Sequence, residues 1–233
     1  MLKRIDSNQM GKSRKGWLES WHHFSFGEYY DPNNLQYGVL RVVNDDLIQP
    51  GGGFDFHAHT DMEIITYVAE GQLTHMDTMG NSRVLTRGQV QYMSAGTGVV
   101  HGEFNRGPHR VRLLQIWVVP DRDGYPPAYG DYQFKWEDRE GCWLPLVSDM
   151  EGGAPVRIHQ DMRIFAAWAE SGHTLTYTIG AQRQGYLIQI EGKSDIGRIH
   201  LRPRDAMEIQ NETIELRAAD PSHYLLFDMK LDE

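Results

Sequence analysis

Through the first half of the chain, β-branched and aromatic residues gather in short runs, each closed by a turn-forming residue. Residues 62–68 make one such run, ended at Glu70-Gly71, and 72–77 read as the strand that returns from it. Met79 to Ser82 supply the next turn, with Gly80-Asn81 a tight-turn pair. Residues 83–86 and 90–93 follow as further strands on either side of Arg87-Gly88, and residues 94–98 form a glycine-rich bend. Short strands with frequent glycine turns predict an all-β sandwich or jelly roll. Residues 161–169 fit a short helix or a buried strand equally, because periodicity does not separate the two over so short a run.

The pattern repeats. Residues 65–71, closing on Gly71, have a counterpart in 187–192, closing on Gly192, and 110–117 is echoed by 223–229 at a similar offset. That is the mark of a diverged duplication. Residues 120–127 have the proline- and glycine-rich composition of a linker. The expected division is an N-terminal domain over 1–125 and a C-terminal domain over 126–233.

Composition narrows the function. The chain of 233 residues is long enough to bury a substantial core. Its net charge of −9 argues against a general nucleic-acid or anionic-membrane binder. The basic cluster Lys3, Arg4, Lys12, Arg14, Lys15 has no apolar stretch behind it and reads as neither signal peptide nor anchor. Cys142, a single cysteine, has no partner for an internal disulfide or a zinc site and is expected to be a packed small residue. The expected location is the cytoplasm.

Candidate chemistry lies in two histidine pairs. His57-Ala58-His59 and, after the bend, His101-Gly102-Glu103 each carry the spacing that sets two side chains on one face of a strand. Two such strands side by side aim three imidazoles and a carboxylate at one point. This donor set suits a first-row divalent ion and leaves two positions of an octahedron open. Glu63 competes as the carboxylate. On a straight strand it would stand roughly 13 Å from His59, so it reaches the ion only if the chain turns between them. Glu103 needs no such turn and is chosen, with Glu63 kept as a competing ligand or as an outer carboxylate that orients a histidine. His75, His109, His173, His200 and His223 read as surface or hydrogen-bonded core histidines, and His22-His23 point to opposite faces. Placing Gly192 on Gly71 sets Thr178 and Gly180 where His57 and His59 stand. The later strands carry Glu208 and Glu215 but no His-x-Glu pair, so the second module is expected to lack a site and to cover the first.

At these residues the chain resembles a family. Gly51-x5-His57-x-His59-x3-Glu63, with Gly88, Gly96, His101 and Asn105 following, is similar to the paired motifs of the cupin superfamily. Within it, residues 17–27, 29–32, 40–46 and 93–98 with His101-x-Glu103, extended by 159–162, resemble the pirins over most of the chain. Ser94 and the long gap before His101 depart from the general cupin pattern and agree with pirins, whose first-motif Glu is not the ligand.

The resemblance implies a bicupin, two tandem jelly-roll β-barrel domains with short connecting helices. It implies one divalent transition metal per chain on His57, His59, His101 and Glu103. Fe(II) is the first choice, with Ni, Co, Mn, Cu or Zn as alternatives. It further implies quercetin 2,3-dioxygenase activity. A small aromatic substrate, a flavonol, would lose the proton of its 3-hydroxyl, react with O2 across the heterocycle and release carbon monoxide, with Glu103 as ligand and catalytic base. The alternative is a metal-dependent regulatory protein acting through a protein partner, without direct contact to nucleic acid or membrane. The expected state is a monomer.

Overall fold

The computed structural model describes residues 1–231, so positions 232 and 233 of the second expected domain lie outside the described residues. Its strands are β1 (Leu2–Ile5), β2 (Gly11–Lys15), β3 (Leu18–His22), β4 (Leu40–Ile48), β5 (Gly53–His59), β6 (Glu63–Glu70) and β7 (Gln72–Asp77). Then come β8 (Ser82–Thr86), β9 (Val90–Ser94), β10 (Val99–Phe104), β11 (Val111–Val118), β12 (Ala128–Tyr132) and β13 (Leu144–Asp149). The last are β14 (Val156–Ile158), β15 (Met162–Ala169), β16 (Thr174–Glu191), β17 (Ser194–Ile196), β18 (Ile199–Leu201), β19 (Ala206–Ala218) and β20 (Ser222–Lys230). The all-β bicupin expectation holds.

Its connecting helices do not. Among the described residues the helical structure is one 3-10 turn, Trp136–Arg139. Lys135 gives it no side-chain cap, and Glu140, already extended, stops it. Residues 161–169 resolve as strand: β15 pairs with β20 from Met162↔Met229 to Ala169↔Ser222, its positions largely alternating in burial. No helix among the described residues is long and apolar enough to cross a membrane.

The chain forms two compact units. One comprises Gly11–Phe134 with Ile158–Gln160; the other holds the rest of the described chain. The first unit carries a four-stranded sheet, β5-β10-β7-β8, and a seven-stranded one, β12-β9-β6-β11-β4-β3-β2. Leu73 and Leu85 from the smaller sheet join Ile48, Val68, Val111 and Leu113 from the larger in one core cluster. Each such burial contributes roughly 1.5–3 kcal/mol of transfer free energy. The second unit is a nine-stranded sheet, β14-β13-β15-β20-β16-β19-β17-β18, with β1 added against β19.

The duplication is visible in the topology. In the first unit β11 lies between β4 and β6; in the second β20 lies between β15 and β16. Gly71, at the end of β6, and Gly192, at the end of β16, both hold positive φ, +81° and +75°. A Cβ at either would run into the backbone just ahead of the following central strand, at Arg110 and at Pro221.

Candidate metal centre

The bend at 94–98 feeds β10 into the middle of its sheet, between β5 and β7. On one side His101 stands opposite His57; on the other, Asp77 stands opposite His101 and His75 opposite Glu103. The register slips between His101 and Glu103, so Phe54 faces Glu103. An extra residue in an edge strand is a bulge, which locally re-aims side chains.

Three imidazoles converge. Ring centroids lie 4.7 Å apart for His57 and His59, 4.6 Å for His57 and His101, and 5.0 Å for His59 and His101. One ring nitrogen from each lies within 4.8 Å of the others. Burial, and then the neighbouring His57, push His59 down to about 4. Burial, followed by the surrounding histidines His57, His59 and His75, pushes His101 down to about 3. Both are therefore neutral at pH 7, with lone pairs to offer. His57 Nδ1 lies 2.6 Å from the Asp55 carbonyl and donates there, which leaves Nε2 as its lone-pair nitrogen. His59 Nε2 and both nitrogens of His101 are buried without a hydrogen-bond partner. Orphaned imidazole nitrogens facing one another fit a cation: a divalent first-row ion satisfies them together.

Glu103 is 1% exposed and joins this cluster through His101; its carboxylate lies within 4.8 Å of ring nitrogens of His101 and His75. Donors from the opposite sheet hold it. Thr66 Oγ1 (3.0 Å) and Gln91 Nε2 donate to Oε1, and Gln115 Nε2 donates to Oε2 at 2.6 Å. Thr66 stands opposite both Gln91 and Gln115, so one polar row across β9, β6 and β11 supplies all three donors. Burial pushes Glu103 up to about 7, against the pull of these donors. Trp117 meets His59 edge-on at 4.8 Å, giving the cluster an aromatic wall.

Glu63 goes elsewhere. The chain does turn after β5, at Asp61 with φ 46°, and β6 enters the other sheet. The Glu63 carboxylate accepts hydrogen bonds from Ser94 Oγ at 2.6 Å and His159 N at 3.1 Å, and it is not part of the histidine cluster. His75, read as an ordinary histidine, is buried inside the centre. The overlooked signal was His75-x-Asp77, a third pair at two-residue spacing on a strand bordering β10. Cys142, expected to be packed, is exposed on the loop before β13, its thiol 3.2 Å from the Asp138 carbonyl. His22 and His23 are both buried, His22 bonded to Asn44 and Ser13, and neither joins the cluster. In the second unit Thr178 stands opposite Thr213, as His57 stands opposite His101, and their hydroxyls bond at 2.9 Å.

Comparison with known proteins places the chain in a family. The pirin family model matches residues 4–118, and the model of the quercetinase C-terminal cupin domain matches 145–229. A pirin-like protein of Caulobacter vibrioides is 41% identical over 98% of this chain and 99% of its own length. A quercetin 2,3-dioxygenase of Escherichia coli K12 is 39% identical over 96% of each chain. Two crystal structures of the E. coli protein YhhW superpose with TM-scores of 0.93 and 0.92 at 36% identity, covering all of this chain and 99% and 100% of theirs. The second is described as a bacterial pirin in complex with nickel(II).

Proposed function

The chain belongs to the pirin family, and from that membership we propose that it is a metal-dependent dioxygenase that cleaves flavonols such as quercetin at the 2,3-bond with O2, releasing carbon monoxide. The observation that carries the reading is the convergence of the His57, His59 and His101 imidazoles, with buried, unpartnered nitrogens on His59 and His101, beside one buried carboxylate. His57, His59, His101 and Glu103 would hold one divalent ion per chain. Fe(II) is the first choice; the nickel complex of YhhW keeps Ni(II) beside it, and Co, Mn, Cu and Zn fit the same donors. Such an ion supplies Lewis acidity and a fixed positive charge for an ionised oxygen.

The chain's own residues do the rest. Glu103, lifted toward neutrality by burial, accepts the proton of the flavonol 3-hydroxyl. Thr66, Gln91 and Gln115 keep its carboxylate in place while it does so. Trp117, against His59, offers an apolar face to a flat aromatic ring.

An aerobic assay tests this. Protein loaded with Fe(II) or Ni(II) should bleach the flavonol chromophore and consume O2 over many turnovers, while flavones lacking the 3-hydroxyl stay inert. Equal rates on flavone and flavonol contradict the role of the 3-hydroxyl. No turnover with any ion removes the enzyme reading and leaves a regulatory metal protein acting through a protein partner.

A further inference from the structure

The metal reading uses β10 and β5. The other neighbour of β10 carries chemistry of its own: β7 sets His75 opposite Glu103 and Asp77 opposite His101. His75 is 0% exposed, and its Nε2 stands 3.1 Å from Asp77 Oδ2. Asp77 is itself fixed. Met79 N at 2.9 Å and Asn81 N at 3.0 Å donate to Oδ1, and Asn81 Nδ2 donates to Oδ2 at 2.8 Å. An ionised carboxylate only accepts, so His75 gives it the Nε2 hydrogen and carries its lone pair on Nδ1.

That lone pair has no acceptor's usual partner. Nδ1 of His75 is buried and unbonded, and Tyr129 stacks on the ring at 4.6 Å. The polar groups gathered with His75 are Glu103 and His101, the latter at a ring-centroid distance of 5.4 Å. As a ligand of the ion, Glu103 is held in its carboxylate form by the adjacent positive charge and has no hydrogen to offer. His101 does: when one imidazole nitrogen serves as a ligand, the other carries a hydrogen and needs an acceptor. Both His101 nitrogens lack a protein partner. Donor and acceptor are thus each missing what the other supplies.

We propose that Asp77 and His75 are a positioning pair for the metal centre, with His75 Nδ1 accepting the hydrogen of the non-ligating His101 nitrogen. The proposal rests on the metal reading above. Asp77 selects the His75 tautomer; His75 then selects the His101 tautomer, holds the ring's orientation and raises its basicity as a ligand. His75 acts through His101 and is not itself a ligand.

The test compares wild type, His75→Phe, His75→Gln and Asp77→Asn. Ni(II) affinity is measured by chelator competition, nitrogen ligands are counted by X-ray absorption, and thermal midpoints are taken without metal. His75→Phe should weaken affinity about 10- to 100-fold with the nitrogen count unchanged. His75→Gln, which keeps an acceptor oxygen, should recover most of that loss, and Asp77→Asn should fall between. Wild-type affinity in His75→Gln and Asp77→Asn alike, with only the midpoints moved and no loss in His75→Phe, makes the pair structural and overturns the proposal. One nitrogen ligand fewer in a His75 variant makes His75 a ligand and overturns it too. A wild type that binds no Ni(II) or Fe(II) fails earlier and removes the metal reading along with the pair.

Discussion

At the scale of single residues, two buried glutamates divide two tasks. Glu103 meets His101 and takes three donors from the opposite sheet, whereas Glu63 is spent on Ser94 and the His159 backbone. Glu103→Gln keeps size and one oxygen but loses the charge and the basicity. Its turnover per bound metal should fall on the order of 10²–10⁴-fold if general-base catalysis is what is lost. Glu63→Gln should leave turnover per bound metal near wild type and show its effect in thermal stability. Rates normalised to measured metal content decide the matter, and the reverse pattern would show that Glu63 is the working carboxylate. The two-residue spacing of His57/His59 and His101/Glu103 was legible because it needs only strand periodicity. His75-x-Asp77 has the same spacing, yet a His and an Asp on a strand look like ordinary solvent-facing residues until the strand order places them against β10. Nothing in the residues around Cys142 marks it as exposed, because a lone cysteine carries no pattern.

At the scale of elements, the runs between 62 and 93 emerged as β6 to β9, since glycine turns and β-branched runs are local signals. The bend at 94–98 did deliver His101. What periodicity left open was partnership: β5 and β6 are adjacent in sequence but lie in different sheets, which is why straight-strand distances mislead for Glu63. The expected connecting helices drew on the resemblance alone, with no amphipathic period behind them. Partnership also shapes titration. Asp46 on β4 stands opposite Ser20 on β3, which donates to it, and burial pushes Asp46 up to about 7, with Asp45 and Glu103 adding to the rise. Between the ordinary value of 3.8 and about 7, the native chain keeps a proton that the unfolded chain has lost. The contribution of Asp46 to stability therefore falls as pH rises through that window. Asp46→Asn removes this dependence while keeping an acceptor for Ser20. Its stability in metal-free protein should gain on wild type from pH 4 to pH 7.5 by on the order of 1–3 kcal/mol. Denaturant unfolding across that range checks it; a difference that stays constant with pH means that Asp46 does not titrate as argued.

At the scale of the whole molecule, one fold is used twice and, on the reading above, loaded once. The paired glycines and the paired central strands preserve the duplication, while Thr178, which the glycine spacing matches to His57, bonds the hydroxyl of Thr213 across its strand pair. A hydroxyl pair that satisfies itself needs no ion; three crowded imidazoles, two of them with buried orphan nitrogens, do. Metal content is therefore the most direct test. Purified protein dialysed against buffer should retain one equivalent of divalent transition metal per chain, and alanine at His57, His59 or His101 should remove most of it, while His159→Ala and His173→Ala keep it. Two equivalents that survive dialysis, or metal retained at the wild-type level by His101→Ala, would contradict the account.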